Sequence, residues 1–220
     1  MLELLARDPA SLSAVRDPEQ AWAIHVEDSL SGLELVGSPR RLADVGAGAG
    51  FPGIVLAAAL PECEVDLIES VGRKCEFMER ALAASSIANA RVIRERAEAW
   101  AAAAAPEGGR EAYEVVTARA VGRLATLAEL ASPLLAEGGR LVAWKGRRNP
   151  DEEREADSAG DRLAMEWVEV RPVEPFAASR HRHLHLLEKR GPTPAGLPRR
   201  PGLAKKRPFG RSPGASRDSH

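Results

Sequence analysis

Asp44-Val45-Gly46-Ala47-Gly48-Ala49-Gly50-Phe51-Pro52-Gly53 places four glycines between an apolar run and a second run of small and apolar residues. Glycine has no Cβ and accepts positive φ, so this is a strand-to-helix turn in which a ligand can approach the main-chain N–H groups closely. Asp44, just ahead of the glycines, disfavours a pyrophosphate at the turn and favours a cationic ligand.

Outward from the turn, strand and helix patterns alternate, which predicts an α/β fold with a mainly parallel sheet. Strands are expected at Arg41–Val45, Glu64–Glu69, Ala90–Arg94, Tyr113–Ala118 and Arg140–Lys145, with a closing pair at Trp167–Val173 and His183–Glu188. Between them the spacing predicts helices over Pro52–Leu60, Gly72–Ser85, Glu98–Ala105 and Arg123–Leu135, and a solvated helix over Pro150–Arg162. Pro61, the Pro106–Gly109 segment and Gly138-Gly139 punctuate the series. Ahead of the first strand, one helix from Glu19 to Leu35 is expected to turn Trp22, Val26, Leu30 and Leu33 to one face. From Gly191 the recurrent Pro, Gly and Arg residues predict an extended, unpacked arm, disordered over Arg211–His220.

The 220 residues suit one main domain, and 44% hydrophobic with 29% charged residues is ordinary for a soluble globular chain. No apolar run approaches the ~20 residues needed to cross a bilayer. The start lacks the basic and apolar regions of a secretion signal, so a cytoplasmic location is expected. Cys63 and Cys75 offer neither a disulfide framework nor a zinc-ligand spacing. The net charge of −1 conceals an asymmetry: from Arg180 onward, eleven basic residues face two acidic ones, so the tail carries +9 and the rest −10. A solvated surface and a polyanion-binding arm explain that tail equally well.

Two nucleotide-type ligands compete for the turn. Gly48-Ala49-Gly50-Phe51-Pro52-Gly53 satisfies G-x-G-x-x-G, the signature of an NAD(P)-dependent oxidoreductase. Counted from Gly46, the first glycine after the strand, the third glycine is replaced by Phe51. S-adenosyl-L-methionine (SAM) has no phosphate and carries a sulfonium and an ammonium, so it suits the acidic turn. Glu69, about 20 residues on, is placed to accept adenosine ribose hydroxyls, a device that NAD sites share.

Several further runs carry a more specific signal: His25-Val26-Glu27-Asp28-Ser29-Leu30, Leu67-Ile68-Glu69-Ser70 with Gly72-Arg73-Lys74, Arg96-Ala97-Glu98, Thr117-Ala118-Arg119-Ala120, Lys145-Gly146 and Pro198-Arg199-Arg200-Pro201-Gly202. With the glycine turn, and in this order, they resemble the RsmG (GidB) family of bacterial methyltransferases, which modify guanine N7 in the 530 loop of 16S ribosomal RNA. The resemblance implies a Rossmann-like class I SAM-dependent methyltransferase with a mostly parallel seven-stranded sheet and helices on both faces. It divides the chain into a helical cap (1–36), shorter than the family usually carries, a SAM-binding domain (37–190) and the basic arm (191–220). It implies cofactor contacts by Gly46, Gly48, Gly50 and Phe51 in the turn, by Glu69 to the ribose and by Ala97 and Glu98 at the adenine edge. Arg119 falls on the methionine or target side. The implied partner is 16S ribosomal RNA or a small-subunit precursor, bound by a monomer, with Lys145, Arg147, Arg199 and Arg200 as candidate RNA contacts.

Guanine N7 attacks through an in-plane lone pair and releases no proton, so no catalytic base is assigned. His181, His183 and His185 alternate but have no carboxylate or cysteine at ligand spacing, so no metal site is expected there. A non-catalytic RNA-binding assembly factor is the alternative reading.

Overall fold

In the computed structural model, residues 1–8, 12–13, 15, 17–177 and 179–210 are described. Helix α1 (Leu2–Arg7) opens the chain, followed by α2 (Pro18–Ala21), whose first turn Asp17 caps by accepting the Gln20 N–H at 2.8 Å. Trp22–Glu27 then wind as a π-helix before α3 (Asp28–Leu30) and α4 (Leu33–Val36). The single helix expected over Glu19–Leu35 is therefore broken. The wider turn shifts the 3.6-residue phase, leaving Trp22 and Leu30 exposed, at 53% and 38%, instead of facing the core. Gly32 interrupts the run because Trp144 packs against it: a Cβ there would lie 2.2 Å from the indole ring.

Next come β1 (Arg41–Val45), α5 (Gly53–Ala59), β2 (Glu64–Ile68), α6 (Gly72–Ala83), β3 (Ala90–Ile93), α7 (Ala97–Trp100) and β4 (Tyr113–Arg119). They are followed by α8 (Leu124–Ala131), β5 (Leu135–Lys145), α9 (Pro150–Leu163), β6 (Met165–Val173), β7 (Arg182–Lys189) and α10 (Leu203–Lys206). The strands form one seven-stranded sheet in the order β3-β2-β1-β4-β5-β7-β6. Only β7 runs against the others.

Successive strand residues feed opposite cores. Ala43 and Val45 pack with α8 and α9, whereas Leu42, Val65 and Leu67 pack with α4, α5 and α6. Burial on both faces explains why these strands read as nearly continuous apolar runs; each buried Leu or Val contributes about 1.5–3 kcal/mol. Among the described residues no helix is long and apolar enough to cross a membrane.

Three further elements depart from their sequence pattern. The alanine-rich helix stops at Trp100 because the chain folds back, Gly109 donating its N–H to the Trp100 carbonyl at 2.8 Å. The helix expected to reach Leu135 ends at Ala131, and Leu135 instead opens β5 opposite Tyr113. A register shift then accommodates the Gly138-Gly139 region before Arg140 pairs with Val115.

The third departure is the arm from Gly191, which is docked up to Gly210. Arg110 donates to the Leu197 carbonyl at 3.0 Å, Arg199 forms a two-pronged ion pair with the buried Glu129, and Gly202 donates its N–H to Glu98 at 2.7 Å. Leu197 and Ala204 are buried, so the segment is a strap across α7 and α8. The residues expected to be disordered, 211–220, lie outside the described residues.

Candidate active site

β1 and β4 are neighbours whose helical connections leave in opposite directions, which opens a crevice at their carboxyl ends. The glycine turn leaves β1 there. Gly46 is anchored by donating to the Ile68 carbonyl at 2.8 Å, and Gly48 has φ 62° with its nearest neighbour 3.8 Å from where a Cβ would stand. Gly48 is thus the open position of the turn. Gly53 is the tight one, since a Cβ would fall 2.3 Å from Leu67 and 2.7 Å from the Asp44 carboxylate.

Asp44 does not line the crevice as an exposed acid. It is fully buried, accepting the Gly53 N–H at 2.9 Å and the Thr117 hydroxyl at 2.9 Å, and it clamps the end of the turn to β4. Burial drives its carboxyl up to about 7, against the opposing pull of these two hydrogen bonds. Its influence on ligand choice is therefore through the shape of the turn.

Glu69, at the end of β2, reaches back under the turn. One carboxylate oxygen accepts the Gly48 N–H at 3.1 Å and faces Lys74 at 3.5 Å; the other accepts from Ser70 and Val71 at 2.8 and 2.9 Å. An anionic acceptor thereby occupies the N–H that a pyrophosphate would require. It is at the same time suited to ribose hydroxyls, which are donors.

Across the crevice, Arg119 ends β4. It donates to Asp28 at 2.9 Å and to the Ile24 carbonyl at 3.1 Å, and its guanidinium lies 5.4 Å from the Phe51 ring centroid. His25 stacks on Phe51 with centroids 4.6 Å apart, while the Ser13 hydroxyl meets its Nε2 at 3.0 Å. Burial, reinforced by Arg119, lowers the His25 pKa, so the stacked imidazole is neutral at pH 7. The π-helix places Ile24 and His25, and α3 places Asp28, over the turn. Neither the π-helix nor Asp28's partnership with Arg119 is visible in helical periodicity; in the sequence Asp28 stands only as the second of two adjacent acids, Glu27-Asp28, in a mostly polar run.

The remaining sequence candidates divide. Ala97 begins α7 beyond β3 and is buried, and Glu98 is turned to Gly202 of the strap. Lys145 is engaged with the Gly122 carbonyl at 2.8 Å and Glu152 at 2.6 Å, and Arg199 with Glu129. Arg147 and Arg200 are exposed. His183 contacts the Gly146 carbonyl at 2.9 Å, whereas His185 is buried edge-on to Trp167 and its pKa is pushed down to about 4 by burial.

The seven-stranded sheet, the open glycine turn and the acid beneath it define a SAM-dependent methyltransferase of the Rossmann-like class I type, with donors and acceptors that fit SAM better than a dinucleotide. The family model described as rRNA small subunit methyltransferase G (GidB) matches residues 4–184. The chain belongs to this family. It is 41% identical over 200 residues to the ribosomal RNA small subunit methyltransferase G of Roseiflexus castenholzii, covering 90% of this chain and 84% of that protein. It is 38% identical over 210 residues to its namesake from a Synechococcus strain, covering 91% and 78%. Among solved structures, a SAM-dependent methyltransferase from Aquifex aeolicus shares the fold at TM-score 0.59 and 15% identity, covering 83% of this chain and 98% of that one.

Proposed function

We propose that this protein transfers a methyl group from SAM to N7 of a guanine in the 530 loop of 16S ribosomal RNA, acting as a cytoplasmic monomer. The observation that carries the reading is the family match over residues 4–184, to which the sequence resemblance adds the guanine and its position. Bound SAM supplies an electrophilic methyl on a sulfonium. The chain's own task is then to orient the base. The Gly46–Gly53 turn and Glu69 hold the donor's nucleoside part, and Arg119, fixed by Asp28 and Ile24, defines the side of the crevice from which the base enters. Because guanine N7 loses no proton before attack, none of these residues has to act as a base. The neutral His25 stack adds a flat wall without adding charge.

The test is incubation with labelled SAM and unmodified small-subunit RNA, followed by strand cleavage specific for N7-methylguanine. One SAM-dependent cleavage within the 530 loop is expected. Label incorporated without such a cleavage contradicts the N7 assignment.

A further inference from the structure

A cavity of about 150 Å³ lies between the carboxyl ends of β4 and β5 and the start of β7, walled by Asp28, Arg119, Trp144, Lys145, Arg182 and His183. It adjoins the cofactor crevice, because Arg119 lines the cavity and also stands against Phe51 of the glycine turn. We propose that this cavity receives the target guanine, flipped out of the RNA, and that Asp28 is a specificity-determining residue reading its Watson–Crick edge. The inference rests on the guanine-N7 reading above and assigns the base a place and a reader.

The Asp28 carboxylate is almost fully buried, and its two oxygens are treated unequally. Oδ2 accepts from Arg119 at 2.9 Å, whereas among the described residues Oδ1 has only the Arg182 Nε at 3.9 Å, beyond hydrogen-bond reach. Oδ1 is not among the sealed polar atoms, so it opens to the cavity, and a ligand that brings donors can take the place of solvent there. Guanine carries adjacent N1–H and 2-amino donors that match a carboxylate, whereas adenine presents an acceptor at N1 and meets repulsion. The N7 atom lies on the other edge of the base, so a grip on the Watson–Crick edge leaves it free to react. Asp28 is itself held rigidly: the Trp144 indole N–H donates to its backbone carbonyl at 2.8 Å, and Arg119 fixes its side chain. Arg182, half-exposed at the wall of the cavity, is a donor suited to a flanking phosphate. Taking one base out of the stack is the general way an enzyme reaches an atom on it.

The test compares small-subunit RNA carrying guanine or inosine at the target position, supplied naked and assembled into subunits. Inosine keeps N7, O6 and N1–H and lacks only the 2-amino group. Wild-type protein is expected to methylate the guanine substrate with a kcat/KM about ten- to a hundredfold higher, since a site built for a donor rejects the analogue lacking it. Asp28→Ala is expected to bring that ratio close to one while calorimetry still detects SAM binding. Equal rates on the two substrates by the wild-type protein overturn the proposal without any variant, and are the result expected if the cavity holds only a phosphate. A ratio unchanged in Asp28→Ala overturns it as well. Failure of the wild-type protein to methylate even the guanine substrate at N7 is a different outcome, and overturns the underlying reading together with this one.

Discussion

Asp44 and His185 are both buried ionisable groups, and they tilt stability in opposite directions with pH. Burial raises the Asp44 carboxyl from 3.8 to about 7, so between those values the folded chain keeps a proton that the unfolded chain releases. Stability from Asp44 is therefore full below pH 4, is lost as pH rises towards 7, and is constant above. Burial depresses the His185 imidazole from 6.5 to about 4, so there the unfolded chain holds the extra proton and stability grows as pH rises through the same interval. The two slopes largely cancel in the wild-type protein, and only a difference measurement separates them. The melting temperature of wild type minus that of Asp44→Asn is expected to fall between pH 4 and pH 7 and then level off. Calorimetry across that range checks it, and a difference that does not vary with pH contradicts the protonation assigned to Asp44.

At the scale of elements, one of the ties that hold the strap to the body is an ion pair with a buried carboxylate. Glu129 on α8 has a side chain only 3% exposed, and Arg199 pairs with it while also donating to the Arg207 carbonyl at 2.8 Å and lying 3.9 Å from the Phe209 ring centroid. Arg199→Ala leaves that carboxylate buried and alone, so a loss of about 3 kcal/mol is expected, whereas Arg200→Ala at the exposed neighbour is expected to change stability little. Chemical denaturation measures both, and hydrogen exchange is expected to quicken across residues 197–207 in the first variant only. The strap also marks the limit of what the sequence disclosed. The β1, β2 and β3 boundaries were legible to within a residue because glycine, proline and polar residues flank short apolar runs, buried on both faces in β1 and β2 and half-buried at the sheet edge in β3. The turn and Glu69 were legible because glycine spacing and an acid at a strand end are local signals. The π-helix, the early stop of α7, the start of β5 at Leu135 and the docking of the strap were not. Each depends on a contact distant in sequence: Arg119 to Ile24, the Trp100 indole N–H to Tyr113 at 2.7 Å, Leu135 to Tyr113, and Arg199 to Glu129. The charge on Asp44 was visible from sequence, but its role was not, since only the fold shows it buried.

For the whole molecule, docking the strap changes the meaning of the charge asymmetry. A loose basic arm would attract RNA with no fixed register, but Arg199 is consumed in holding the strap, and Gly202 binds Glu98 at the carboxyl-terminal edge of the sheet. Arg200, Lys205 and Lys206 are left exposed on a fixed backbone, on a molecule that is otherwise acidic, and none takes part in an ion pair among the described residues. Such a display confines phosphate contacts to one face and keeps the RNA off the remainder by repulsion. Each phosphate contact releases bound counterions, so the slope of log affinity against log salt counts the contacts. Replacing Arg200, Lys205 and Lys206 together by alanine is expected to make that slope shallower by about two, with the largest loss of RNA affinity at low salt. SAM affinity and melting temperature are expected to stay near the wild-type values, because none of the three holds the strap or the turn. Fluorescence anisotropy with small-subunit RNA over a salt series, beside calorimetry with SAM, measures both sides. An unchanged slope would place the RNA on another surface and reduce the strap to a clamp on α7 and α8.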